Sequence, residues 1–413
     1  GDHLSISGNN GLIDQIEYDP SFYNDPLKSD GGWSIEKIHS KKKCEDKTNW
    51  SASINPSGGT PGSENSIASH QLDSQGPVLD SISNLDALGL TLYFNERLDF
   101  ISNLNSDIKL NSDNKVIINK ITGREIQVKF EKPLDSGEIY TLSIDSIRDC
   151  EGNLNLNISS SLGIGKKPKL FDLVFTEIMP DPDPSNGLPK SEYIEIYNRS
   201  QNIIDLSNVK LIDRDDTSGI SPCQLFPGEY LLLTSKSKIV EFESDINIAS
   251  LNPWPGLPNS GSNLKIIFDD RLIHRLNYNV NWIRNELKQD GGWSLESIDP
   301  NNLCEELSNW DASENPIGGT PGKENSQRFN NPDLSKPSII KHNFLSDTSI
   351  EIEFSESILT QNYEAWKLKF TGNEIQEIHF DDIISSGIRI YFKNSFSPGI
   401  KYQLEVSDIS DCE

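Results

Sequence analysis

A stretch of 37 residues occurs twice in this chain, and this repeat constrains the fold more than any other feature. The first copy, starting at Asp30, reads DGGWSIEKIHSKKKCEDKTNWSASINPSGGTPGSENS. The second copy, starting at Asp290, reads DGGWSLESIDPNNLCEELSNWDASENPIGGTPGKENS, so the copies align without a gap at an offset of 260 residues. Each copy contains two tryptophans and a cysteine, which disordered linkers rarely have. The repeat therefore indicates a folded unit that occurs twice.

The alignment extends beyond the repeat in both directions. Upstream, GDHLSISGNNGLIDQIEYD at Gly1 faces GSNLKIIFDDRLIHRLNYN at Gly261, and the matching apolar positions alternate as in half-buried strands. Downstream, LGLTLYFNERLD at Leu88 faces TSIEIEFSESIL at Thr348, again with a period of two. The chain therefore contains two kinds of β module, which we call B and C, in the order half of B, C, B, C.

The module boundaries are placed where the sequence pattern of the strand-like segments changes and where turn-forming residues are frequent. Linkers are expected at Ile67–Gly76, Gly163–Leu170 and Gln327–Asp333. Because the first copy begins inside a module, we expect the chain to be a segment of a longer array. The predicted modules are the C-terminal half of a B module at 1–67, a C module at 76–162, a complete B module at 170–326 and a C-terminally truncated C module at 333–413.

Composition and pattern together predict an all-β fold. A chain of 413 residues is long enough for about two to four domains. In the complete B module, seven short strand-like segments are separated by turn words such as PDPDPSNGLP and FPGE, without βαβ alternation or a convincing amphipathic helix. This pattern is typical of an immunoglobulin-like sandwich. We therefore predict tandem immunoglobulin-like β-sandwiches.

The net charge limits the partners that this chain can have. A formal charge of −26 excludes a nucleic-acid surface, because the phosphate backbone repels it. No run of about 18 apolar residues is present, so direct membrane insertion is not expected.

The complete B module resembles a bacterial lamin-tail domain. The segment FTEIMPDPDPSNGLPKSEYIEIYNRSQNIIDLSNVKLID is similar to the opening of that family, and LFPGEYLLLTS, LPNSGSNLKI, DGGWSLESIDP and NWDASENPIGGTPGKENS continue its pattern in order. Thr176 replaces the usual Asn, and Asn208 stands where Trp is common. The C modules more weakly resemble bacterial surface immunoglobulin-like domains of the S-layer type, through LYFNERLD, IEFSESIL and DCEGN.

The resemblance implies a non-catalytic β-sandwich in a secreted or cell-surface protein. We accordingly predict a structural, adhesion or docking segment of a large bacterial protein, outside the cell and in an oxidising compartment. Its partners would be proteins at the cell envelope or further modules of the same chain. The alternative is a carbohydrate- or calcium-dependent binding module that accompanies a secreted hydrolase outside these residues.

By this resemblance, the repeated stretch corresponds to the last strand and the C-terminal end of the family's domain. Its tryptophans are predicted to anchor a turn-rich cap, because aromatic side chains bury large areas in sandwich cores. A sugar-binding platform is the other interpretation. The four anchors are Trp33, Trp50, Trp293 and Trp310.

No catalytic constellation is recognisable, so we predict no enzyme activity in these residues. The sequence lacks a nucleophile elbow, a P-loop, an H-E-x-x-H motif and a C-x-x-C motif. Carboxylates are too abundant for any pair to indicate acid/base catalysis. None of the histidines has a histidine at the matching repeat position, and we predict that they are surface or rim residues. They are His3, His39, His70, His274, His342 and His379.

Two acidic segments, PDPDPSNGLPKSE and LIDRDDTSG, read as loops rich in the oxygen donors that Ca²⁺ prefers, although neither has EF-hand spacing. Apart from possible Ca²⁺, no cofactor is expected. The candidate calcium ligands are Asp181, Asp183, Asp213, Asp215 and Asp216.

The five cysteines point to disulfides. Cys44 and Cys304 occupy matching loops of the B modules, and Cys150 and Cys412 match in the C modules. Bridges Cys44–Cys150 and Cys304–Cys412 would clamp each B module to the C module that follows and would leave Cys223 alone. A bridge between Cys223 and Cys304 is the competing pairing.

Overall fold

The computed structural model describes residues 2–8, 11–40, 47–69, 74–99, 107–303, 307–361, 363–409 and 411–412. In these ranges the regular structure consists of β-strands and short 3₁₀ turns, without an α-helix. The prediction of an all-β fold is therefore confirmed. The chain divides into two compact units, Gly1–Ile164 and Gly165–Glu413. The finer division into four modules stays a prediction.

The first unit contains a set of short antiparallel sheets. Strands β1 and β2 form a hairpin, β3 pairs with β4, and two larger sheets have the orders β5-β6-β9-β8 and β11-β10-β7. There are 3₁₀ turns at Pro20–Tyr23 and Lys47–Asn49. The strands are β1 (Asp2–Gly8), β2 (Gly11–Tyr18), β3 (Ile35–Lys37), β4 (Trp50–Ala52), β5 (Leu79–Asp86), β6 (Gly89–Phe94), β7 (Ile108–Leu110), β8 (Val116–Thr122), β9 (Glu125–Phe130), β10 (Tyr140–Arg148) and β11 (Leu154–Leu162).

The main core of the first unit lies within the segment predicted to be the first C module. The alternating residues Leu90, Leu92 and Phe94 of β6 are buried and share one hydrophobic cluster with β9 and β10. Alternation is expected for a strand with one face on a core, because successive side chains point to opposite faces.

The second unit begins with a sheet of ten strands. Its order is β21-β20-β15-β16-β19-β18-β13-β12-β22-β23, and β14 pairs separately with β17. There are 3₁₀ turns at Ile239–Glu241, Val280–Trp282 and Glu286–Lys288. The strands are β12 (Leu173–Met179), β13 (Tyr193–Asn198), β14 (Ile204–Asp205), β15 (Val209–Asp213), β16 (Asp216–Ile220), β17 (Gln224–Leu225), β18 (Tyr230–Ser235), β19 (Ile248–Asn252), β20 (Gly261–Phe268), β21 (Arg271–Asn279), β22 (Leu295–Ser297) and β23 (Trp310–Ala312).

The rest of the second unit covers the segment predicted to be the second C module. Its sheets have the orders β24-β25-β28-β27 and β26-β29, and a 3₁₀ turn covers Tyr363–Ala365. A cluster built around Ile352, Phe354 and Ile390 forms its core. The strands are β24 (Ile339–Ser346), β25 (Ser349–Leu359), β26 (Lys367–Thr371), β27 (Ile375–His379), β28 (Ile384–Phe392) and β29 (Gln403–Ser407).

All seven strands predicted for the complete B module are present, and five further strands were not predicted. These are β14, β16, β17, β19 and β23. They are short or polar, so their periodicity is weak, and β19 pairs in parallel with β18 after an intervening 3₁₀ turn. Such short strands are defined by their neighbours in the sheet, not by their own pattern.

Matching hairpins in the two B segments differ in burial. Leu264 and Ile266 of β20 are 0% and 1% exposed, because β20 also pairs with β15 and packs on the core of the complete module. Their counterparts Leu4 and Ile6 of β1 are 58% and 64% exposed. Among the residues described in the first unit, β1 pairs with β2 alone. The half-buried alternation expected for β1 is therefore not seen.

Candidate functional site

Three glutamates lie in a row across adjacent strands of the large sheet. Glu177 on β12, Glu195 on β13 and Glu296 on β22 are each 0% exposed. Glu177 is the register partner of both Glu195 and Glu296. Side chains directly opposite each other in a sheet share one face, so the three carboxylates form a single buried cluster, which we call the glutamate row.

The central carboxylate accepts hydrogen bonds from three parts of the module. The Ser294 hydroxyl donates to Oε1 of Glu177 at 2.5 Å, and the Tyr193 hydroxyl does so at 2.6 Å. The backbone N–H of Thr320 donates to the same oxygen at 2.9 Å. Both Ser294 and Thr320 belong to the repeated stretch, so this strand carboxylate binds the stretch at its two ends.

The segment Gly318–Gln327, which we call the tail, also donates hydrogen bonds to the two outer carboxylates of the row, Glu195 and Glu296. The backbone N–H of Gly322 donates to Glu195 at 2.6 Å. The hydroxyls of Ser326 and Thr320 donate to Glu296 at 2.7 and 2.9 Å. The GGTPGKENS sequence of the tail therefore supplies backbone N–H groups and hydroxyls that donate hydrogen bonds to the buried glutamate row.

A glycine is required where the tail crosses the glutamate row. A Cβ at Gly319 would collide with the Tyr193 hydroxyl and would lie 2.6 Å from Oε1 of Glu177. The backbone can approach the carboxylate only without a side chain at this position.

Burial and mutual repulsion change the acidity of the row. Burial, together with the neighbouring Glu296, raises the pKa of Glu177 to about 7. Burial and the charge of Glu177 also raise the pKa of Glu195 well above its usual range. Desolvation and like charges both disfavour the ionised form. Glu177 and Glu195 therefore retain protons at higher pH than an exposed carboxylate does, and the row serves as a hydrogen-bonded structural network.

The glutamate at the matching position of the first copy has a lowered pKa. Glu36 corresponds to Glu296 and is also buried. Burial alone would raise its pKa, but hydrogen bonds from Thr60 and Ser66 outweigh that effect and lower the pKa to about 2. Matching hydroxyls donate to Glu296, from Thr320 and Ser326, but Glu296 also lies opposite Glu177 on the neighbouring strand.

The glutamate row was not predicted from the sequence. Glutamates are too numerous in this sequence for their number to be informative, and the relevant signal is their position: a single Glu is the one charged residue in each of the strand segments FTEIM, YIEIY and WSLES. An inward-facing charge in an otherwise apolar strand needs hydrogen-bond partners.

The tryptophans of the repeat pack against the core in the complete module. Trp310 is buried beside Trp282, with ring centroids 6.1 Å apart. Trp293 packs against the same core, and the Lys288 ammonium lies 4.5 Å from its ring centroid. In the first copy Trp33 and Trp50 are half-buried, and Lys28 lies 4.4 Å from the ring of Trp33.

The prediction that the histidines lie at the surface or rim is wrong for His274. This residue is 5% exposed, and its Nδ1 accepts the backbone N–H of Phe175 at 3.3 Å. Burial, together with the charges of Arg199 and Arg275, lowers its pKa to about 3. The apolar pattern of β21 places this side chain inside, where a neutral imidazole is tolerated. His70 lies outside the described residues.

The candidate calcium ligands are distributed over two places, and three of them have side-chain partners in the protein. Lys190 pairs with Asp183 at 2.6 Å, and the Asn259 amide donates to Asp181 at 2.6 Å. Asp213, which ends β15, is buried and pairs with Arg214, whereas Asp216 begins β16. Asp215 alone lies in the turn between these strands. Within the described ranges, no group of three or more His, Cys, Asp or Glu side chains is placed to hold a metal ion.

Calcium binding at these acidic residues stays a prediction. If Ca²⁺ binds the folded chain, excess Ca²⁺ should raise Tm relative to EGTA, by mass action. Asp181→Asn should remove this rise, and Asp270→Asn, at an exposed acid in a different turn, should retain it. Differential scanning fluorimetry with Mg²⁺ as the comparison measures the effect. A Tm that is independent of Ca²⁺ contradicts the prediction.

The described cysteines are of two kinds. Cys223 is a free thiol, and burial raises its pKa to about 11. Cys150 and Cys412 are not free thiols. Cys44 and Cys304 lie outside the described residues, so the predicted pairing is not settled.

Residues 168–279 match the Lamin Tail Domain family, so the resemblance is confirmed over that range. No curated protein matches the chain. In the residues that the structure covers, no helix is long and apolar enough to cross a membrane.

Similar solved structures are distant. The N-terminal part of the bacterial S-layer protein SbsC is 11% identical with a TM-score of 0.21, over 49% of this chain and 44% of that one. A DUF4876 family protein from Bacteroides thetaiotaomicron is 12% identical with a TM-score of 0.22, over 53% and 84%. An L,D-transpeptidase from Mycobacterium smegmatis is 8% identical with a TM-score of 0.16, over 43% and 90%. This chain therefore spans less than half of the S-layer structure, and such low scores carry no argument about function.

Proposed function

We propose that this chain, which matches the lamin tail domain at residues 168–279, is a non-catalytic spacer or docking segment of a large secreted or cell-surface bacterial protein. In it, each B module and the C module that follows form one rigid unit. The junction within the second unit is the observation that carries this proposal.

That junction combines apolar packing with polar contacts. Phe171 and Leu272 of the B module share a buried cluster with Ile384 of the C module. The Arg275 guanidinium donates to the carbonyl of Ile384 at 2.8 Å, and Lys265 pairs with Asp382 at 2.7 Å. Small interdomain interfaces usually permit bending, but a buried cluster with a buried hydrogen bond resists it.

The predicted disulfide would strengthen the same junction. Cys412 belongs to the buried cluster, and Leu303, which directly precedes Cys304, packs against it. A bridge needs Cα atoms within about 7 Å. We therefore propose the pairs Cys304–Cys412 and, by the repeat, Cys44–Cys150. The free state of Cys223 supports this pairing over the competing one.

Peptide mapping under non-reducing conditions tests the clamp. We expect Cys304 to be recovered joined to Cys412 and Cys44 joined to Cys150, with Cys223 alkylated by iodoacetamide before reduction. Recovery of Cys223 joined to Cys304, or alkylation of Cys412 in the unreduced chain, would overturn the clamp.

Surface location is tested on intact cells of the source organism. An antibody raised against the chain should label unbroken cells or precipitate the protein from the medium, while a cytoplasmic protein remains unlabelled. Labelling that appears only after lysis would overturn the proposed location. A glycosidase, protease or nuclease domain elsewhere in the full-length gene would favour the alternative, a binding module of a secreted hydrolase.

A further inference from the structure

A small cavity lies against β21 in the complete B module. Its polar lining comes from His274, Arg275, Ser297 and Asn302, and the rest of its wall is apolar or aromatic. No aspartate or glutamate is among the described residues that line it. The centre of a water-sized particle has about 10 Å³ in which to move. The cavity therefore has room for one water or one monatomic ion.

Arg275 brings a positive charge without a counter-ion to this cavity. The residue is 9% exposed, and its guanidinium donates to the carbonyl of Ile384 at 2.8 Å. Its Nε atom is buried and has no hydrogen-bond partner among the described residues. Lys265 lies opposite Arg275 in the sheet and itself pairs with the carboxylate of Asp382 at 2.7 Å. In the described part of the chain, Arg275 forms no ion pair, and a buried charge without a partner is costly.

His274 supplies a second N–H group to the same cavity. Its Nδ1 accepts the backbone N–H of Phe175 at 3.3 Å. Because the pKa of His274 is lowered to about 3, the ring is neutral at physiological pH and its proton is on Nε2. The charges of Arg199 and Arg275 contribute to this lowered pKa, so the surroundings of the ring are electropositive. The Nε atom of Arg199 is also buried without a hydrogen-bond partner in the described ranges.

The ligand that suits this cavity is an acceptor of hydrogen bonds with a negative charge. The Nε–H of Arg275 and the Nε2–H of His274 are donors, and a buried donor without a partner destabilises the fold. A water could accept both hydrogen bonds, but it would leave the charge of Arg275 uncompensated. An anion accepts both and offsets the charge. The small volume excludes polyatomic anions such as sulfate or phosphate.

We propose that this cavity binds one chloride ion, held by the Nε–H of Arg275 and the Nε2–H of His274. The site goes beyond the spacer or docking function proposed above and does not depend on it, because the complete B module supplies all of its described lining. Arg275 also donates to Ile384 of the following C module. A bound chloride therefore stabilises the arginine that connects the two modules.

The chloride NMR line width and the Tm of the unmodified chain test the site. We expect an excess line width that bromide displaces, and a higher Tm in sodium chloride than in sodium gluconate at equal ionic strength. Arg275→Gln retains an N–H donor but removes the charge, and it should weaken chloride binding by about tenfold or more. Arg271→Gln is the control, because it removes an exposed arginine at the start of the same strand. It should bind chloride as the unmodified chain does.

Crystals of the unmodified chain soaked in sodium bromide locate the ion without any variant, since bromide scatters anomalously. We expect the bromide beside Arg275 and His274. No excess line width, with equal Tm in the two salts, would overturn the proposal and assign the cavity to water. An excess line width that is unchanged in folded Arg275→Gln, or bromide sites that all lie elsewhere, would also overturn it and indicate an adventitious ion only.

Discussion

Replacing Glu177 with alanine should lower the free energy of unfolding of the complete B module by about 3–5 kcal/mol. The substitution removes the acceptor of the Ser294 hydroxyl, the Tyr193 hydroxyl and the Thr320 N–H, all within the buried glutamate row. Each buried donor left unsatisfied costs about 1–3 kcal/mol, and the cavity adds to that cost. Urea unfolding followed by tryptophan fluorescence at pH 5 measures the loss. At that pH Glu177 is largely neutral, since its pKa is about 7.

Two variants are the controls for this experiment. Glu177→Gln retains an acceptor of nearly the same shape and should lose about 1 kcal/mol or less at pH 5. Glu286→Ala removes an exposed carboxylate from the same module and should be close to neutral. If Glu177→Ala is no less stable than Glu286→Ala, the row does not hold the tail. Cleavage of the tail by trypsin at Lys323 should accelerate in Glu177→Ala alone.

The B module should be more stable at pH 5 than at pH 8, by up to about 3 kcal/mol. The pKa of Glu177 is raised in the folded state from 4.5 to about 7. Between these values the folded chain binds more protons than the unfolded chain, so stability falls as pH rises. The contribution is fully present below about pH 4.5 and is lost as pH rises through about 7. Glu195, whose pKa is also raised, acts in the same direction.

Differential scanning calorimetry of the chain across this pH range measures the effect. The chain carries a large negative charge, which also reduces stability at high pH through general repulsion. Glu177→Gln separates the two causes, because it removes the titrating group and leaves most of the charge. Its Tm should vary less between pH 5 and pH 8 than that of the unmodified chain. An equal slope in both proteins would contradict the role assigned to Glu177.

Several elements could be predicted from sequence because their signal is local. The alternation of Leu90, Leu92 and Phe94 places a strand face on a core, and the same spacing in Ile350, Ile352 and Phe354 does so again. Turn-forming segments such as FPGE and FDDR separate the strands, since their residues favour turn conformations. The lamin-tail resemblance, which is confirmed over residues 168–279, is also local, because it rests on short sequence segments that occur in a fixed order.

The sequence by itself determined the all-β class, the repeat and the position of most strands, because these depend on periodicity and on turn-forming residues. Only the tertiary structure decided which residues the repeated segments contact. Glu296 and Glu36 occupy the same position of the repeat, yet Glu296 lies opposite Glu177 on β12, whereas β3, which carries Glu36, pairs with β4 alone among the described residues of the first unit. His274 looks like any other histidine in the chain, but β21 turns it inward. The physical reason is that burial, hydrogen bonding and charge depend on strands far apart in the chain, and a single strand's pattern does not encode which strand will lie beside it.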